Sequence, residues 1–74
     1  MKIIYQFIEE NLFNNYLGQY KSCTITVSGS DGKILDRVSD AFVNPDNARQ
    51  FVDKCNIYQL MPVHLKDALE DVIA

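Results

Sequence analysis

Residues 23–46 constrain the fold most. From Ser22 to Ser28 the side chains alternate, with Cys23, Ile25 and Val27 on one face and Ser22, Thr24, Thr26 and Ser28 on the other. This is the period of a half-buried strand. Asp31-Gly32 follows as a hairpin turn, because such turns need positive φ, which glycine adopts without steric cost and aspartate tolerates. Asn44-Pro45-Asp46 then reads as a helix start: a capping side chain, proline at the first helical position, and an acid at the positive end of the dipole. A strand, a turn, a returning segment and a helix start in this order predict the α+β class.

The chain has 74 residues, enough for a single domain (1–74) with one core between two layers. Its 47% hydrophobic content argues against disorder. Ten acidic and seven basic residues give a net charge of −3, which disfavours direct binding to a nucleic-acid backbone and favours a protein partner. Cys23 and Cys55 are the only cysteines. Without a dense cysteine framework, a reducing, cytoplasmic setting is expected. Gln6, Glu9 and Glu10 interrupt the apolar start of the chain, so neither a signal peptide nor a membrane span is expected.

Within Lys2–Leu17, Ile4, Phe7, Ile8, Leu12 and Tyr16 lie close to helical spacing, predicting a helix capped by a left-handed Gly18. The competing reading makes residues 2–8 a third strand, because their β-branched and aromatic content suits a sheet. Lys33–Val43 is expected to return antiparallel, with Ile34, Val38 and Phe42 sharing a face with Asp36 and Asp40. A helix over the same residues is the alternative. After Asn44, the positions Ala48, Phe51, Val52 and Cys55 form an inward helical edge, with Asn56 as its cap. Ile57–Met61 is an apolar connector, and Pro62 opens a last helix whose stripe is Met61, Leu65, Ala68, Leu69 and Val72. The predicted order is αββαα, a β-hairpin packed against helices, with the N-terminal segment as the candidate third strand.

No motif identifies a catalytic, cofactor or metal site, so the expectation is a non-enzymatic protein with no cofactor. His64 stands alone, without the closely spaced ligand pairs of a zinc site. The two cysteines read as core residues, and Ser28-Gly29-Ser30-Asp31-Gly32 reads as a turn, since no helix follows it directly. The candidate partner-binding residues are instead acidic and aromatic. Asp67, Glu70 and Asp71 cluster on the outer face of the last helix, where acids oppose the dipole. Asp36 and Asp40 mark one side of the returning segment, and Tyr58 offers a rigid ring with a hydroxyl suited to an interface.

In size, acidity and element order the chain resembles the small phage-encoded inhibitors called anti-CRISPR proteins. The resemblance covers the whole chain as architecture and composition, and rests on no shared motif. It implies a blocker that binds a basic, nucleic-acid-binding surface of a host defence complex in the host cytoplasm. Two other readings stand beside it: a small homodimeric module joined through Ile57–Met61, and a minor enzyme or metal site using His64 and a cysteine.

Overall fold

In the computed structural model, which describes residues 2–73, the chain runs β1 (Ile3–Asn14), β2 (Gly18–Gly29), β3 (Ile34–Phe42), α1 (Pro45–Tyr58), a 3-10 turn at Pro62–His64 and α2 (Leu65–Ile73). The strands form an antiparallel sheet in the order β1-β2-β3. The α+β class is as expected, and the N-terminal segment takes the third-strand alternative. The helix expected over Lys2–Leu17 is corrected: those residues form β1 and the turn after it. Ile3 and Tyr5 are buried on one face, while Ile4 and Ile8 lie partly exposed on the other. A strand with apolar side chains on both faces hides its period of two and imitates helical spacing.

Gly18 is left-handed (φ 73°), but it closes a hairpin rather than a helix. Asn14 shapes that turn by accepting hydrogen bonds from the backbone N–H groups of Tyr16 (2.8 Å) and Leu17 (3.3 Å), an Asx-turn. In the second hairpin, Gly32 N–H donates to Gly29 C=O (3.0 Å) and Gly29 N–H donates to Lys33 C=O (3.0 Å). Gly32 alone takes the positive φ (85°) there, as in a three-residue loop closed by a left-handed glycine.

β3 pairs with β2 through two register shifts, one between Val27 and Ser28 and one between Cys23 and Ile25. The second shift holds Asp40 at φ 55°. It also overturns the expectation that Asp36 and Asp40 share a face. Asp36 lies opposite the buried Val27, whereas Asp40 reaches Ser22 and Tyr20 on the other side.

α1 begins as predicted: the Asn44 side chain accepts from Asp46 N–H (2.8 Å) ahead of Pro45. Ala48, Phe51, Val52 and Cys55 are its buried edge, and Phe51 meets Phe42 with ring centroids 5.4 Å apart. The helix ends later than expected, with Gln59 rather than Asn56 as the left-handed cap (φ 50°). α2 adds Leu65 and Leu69 to the same core, with Ala68 packed beside them. Met61 and Val72, expected in that stripe, are largely exposed.

Lengths decide what the helices can cover. Strands β1 and β2 have 12 residues each, about 40 Å of chain, and the molecule's longest dimension is 42 Å. The 14 residues of α1 span only about 21 Å. The β1–β2 hairpin therefore projects past the helices, and Phe13, Tyr16 and Leu17 at its far end are exposed.

Candidate interaction surface

Both helices pack on the face of the sheet that carries Cys23, Ile25 and Val27. The opposite face, built from alternate residues of the same strands, is uncovered. Ile4 and Ile8 contribute apolar area to it, and two side-chain networks cross it from strand to strand.

The first network joins all three strands. Arg37 on β3 places its Nη2 at 3.0 and 3.1 Å from the two carboxylate oxygens of Glu10 on β1. Thr24 on β2, between them, donates its hydroxyl to the same carboxylate. These side chains close over Thr24, which is fully buried although it points away from the core. The hydroxyl of Thr24, followed by Arg37, holds the Glu10 carboxyl below its ordinary pKa, because both bonds favour the charged form.

The second network centres on Asp40. Tyr20 Oη donates to its Oδ2 (3.0 Å) and Ser22 Oγ lies 2.5 Å from its Oδ1. Ser22 Oγ is also 3.1 Å from Phe42 C=O, which ties the cluster to the strand backbone across the register shift. The bond to Asp40 raises the Tyr20 pKa. Asp40 thus receives neutral hydroxyls and sits beside a tyrosine ring. A non-glycine residue at positive φ is sterically unfavourable, and aspartate is among the few that tolerate it.

The residues singled out from the sequence fall in three places. Asp40 lies on the uncovered face. Asp36 is half-buried on the helix side, accepting from Arg37 N–H (2.7 Å). Asp67, Glu70 and Asp71 are exposed along α2, and Tyr58 is 79% exposed near the end of α1. Tyr58 and Asp71 border one shallow depression between the helices, together with Lys54 and Val72. Ser22, Thr24 and Arg37 were not singled out, although the polar alternation of Ser22 and Thr24 carried the signal.

His64 is exposed on the 3-10 turn, while both thiols are free and sealed in the core. Burial pushes the Cys55 thiol up to about 11, and burial together with the charge of Glu9 raises that of Cys23. Among the described residues, no group of three or more His, Cys, Asp or Glu side chains is placed to hold a metal ion. No described helix is long and apolar enough to cross a membrane. Comparison with protein families, curated proteins and solved structures returns no match.

Proposed function

We propose that the chain is a non-enzymatic, protein-binding inhibitor that works in the manner of anti-CRISPR proteins, with the uncovered sheet face as its contact surface. The observation that carries this reading is the backbone of Asp40. A left-handed aspartate costs conformational energy, and here it turns a carboxylate onto the open face beside Tyr20. An acid with no cationic partner among the described residues, fixed next to an aromatic ring, suits a basic protein groove that otherwise holds nucleic acid.

The surrounding surface supports the same use. Tyrosine buries area at little conformational cost, and the Glu10–Thr24–Arg37 array is already ordered before any partner arrives, which lowers the cost of binding. The acids of α2 lie on a separate element and serve as a second, longer-range source of negative potential.

The reading is tested with purified CRISPR effector complexes in a gel-shift assay on their target DNA. Stoichiometric amounts of the chain are expected to prevent target binding by at least one complex, and Tyr20→Ala with Asp40→Lys is expected to abolish the effect. Unchanged target binding across the effector types would sink the reading.

A further inference from the structure

β1 is an edge strand, and its outward backbone groups are those of the odd-numbered residues. Two of these residues are capped within the chain. Asn56 accepts from Tyr5 N–H (2.8 Å) and donates to Tyr5 C=O (3.0 Å). Gln59 does the same at Ile3, at 3.2 and 3.1 Å. The two amide side chains, from the last turn of α1 and its cap, act as a short false strand along the first part of the edge. Past Tyr5 the helix has no further amide in reach, and Phe7, Glu9, Asn11 and Phe13 present their N–H and C=O groups outward. Such an edge is a template for another strand.

We infer that this edge pairs with the same edge of a second copy, antiparallel and centred on Glu10, to form one continuous six-stranded sheet. The stretch left free by the amide caps begins after Tyr5 and ends with β1 at Asn14, so Glu10 is its midpoint. In this register Phe7 faces Phe13 of the second copy, Ile8 faces Leu12, and Glu9 faces Asn11. Every free outward group of the stretch is used, in about eight backbone hydrogen bonds. The partner's strand ends opposite Gln6, where the caps begin, so the caps and the second copy do not compete.

The side chains match as well. A shallow depression lined by Tyr5, Gln6, Phe7, Ile8 and Val52 opens along this edge. In the pairing it lies beside Phe13 of the second copy, which is 71% exposed in the single chain. Ile8, 47% exposed, gains Leu12 as a cross-strand neighbour on the open face. One like-charge meeting occurs, Glu10 with its symmetry mate, and each carboxylate is already neutralised by its own Arg37. Moving the register by two residues either way sets Glu9 against Glu9 or Glu9 against Phe13 and leaves outward groups unpaired.

Sedimentation equilibrium of the full chain reads this directly, with the predicted mass twice the 8.5 kDa of one chain. Asn11→Pro removes an outward N–H that the β1–β2 ladder does not use, and Phe13→Lys changes an exposed side chain. Each is expected to weaken the dimer about tenfold or more while circular dichroism and melting temperature of the single chain stay as in the parent. Amide exchange supplies a second readout: protection at Phe7, Glu9, Asn11 and Phe13 should rise with protein concentration, and that at Ile8 and Glu10 should not. A chain that is monomeric at its solubility limit overturns the inference. So does a dimer that neither variant weakens, which would place the contact elsewhere, such as Ile57–Met61.

Discussion

Tyr20 on β2 donates a hydrogen bond to Asp40 on β3 (3.0 Å), and Asp40 receives it from a left-handed backbone (φ 55°). The cross-strand bond is therefore tied to the register shift that sets Asp40 apart from its neighbours. Asp40→Asn keeps an acceptor and a residue that tolerates the left-handed region, but removes the charge. Its unfolding free energy in urea is expected to stay within about 0.5 kcal/mol of the parent. Inhibition in the gel-shift assay should fall, because charge rather than shape is what the substitution removes.

Asn56 bonds both backbone groups of Tyr5 from a position 51 residues away. Asn56→Ala leaves a partly buried N–H and C=O without their partners, at a cost of about 1–3 kcal/mol. Urea denaturation should show this loss. Amide exchange at Tyr5 should also accelerate well beyond that at Ile25 in the centre of the sheet.

Tyr5 is 1% exposed, and its hydroxyl donates to Leu60 C=O at 2.6 Å. Burial, followed by the charges of Cys55 and Asp36, pushes its pKa up to about 12. The native state holds this proton more tightly than the unfolded chain, whose tyrosine titrates near about 10. The contribution is therefore intact below pH 10 and lost as pH rises from about 10 to 12, by about 2–3 kcal/mol. Thermal melts across that range should show the fall, and Tyr5→Phe should lessen it, leaving the part that comes from the raised pKa of Cys55, while lowering stability at neutral pH.

Cys23 and Cys55 are buried with raised pKa values, so neither presents a reactive thiolate at neutral pH. Modification by a thiol reagent should follow the global unfolding rate, both sites reacting together. Fast labelling of either one in the native protein would contradict this packing.

The parts of the fold legible in the sequence are those with one unambiguous period. Cys23, Ile25 and Val27 alternate cleanly, and Ala48, Phe51, Val52 and Cys55 recur at helical spacing behind a complete capping signal. β1 was not legible because Ile4 and Ile8 place apolar side chains on its solvent face, which turned alternation into an apparent helical stripe. β3 resisted for another reason: its two register shifts carry Asp40 to the face opposite Asp36, and no pattern in residues 33–43 announces a shift. The caps on β1 join residues more than 50 positions apart. Local sequence contains no trace of them, and the uncovered face became visible only once both helices were placed on one side of the sheet.

The Tyr20–Asp40 face is the proposed contact for a protein partner. Quantitative affinity capture from lysates containing CRISPR effector complexes tests it most directly, comparing the parent chain with the Tyr20→Ala/Asp40→Lys variant and with Asp67→Lys on α2. An effector subunit should be enriched by the parent, fall about tenfold or more with the open-face variant, and persist with Asp67→Lys. Absence of any effector subunit, or equal capture by the open-face variant, would contradict the account.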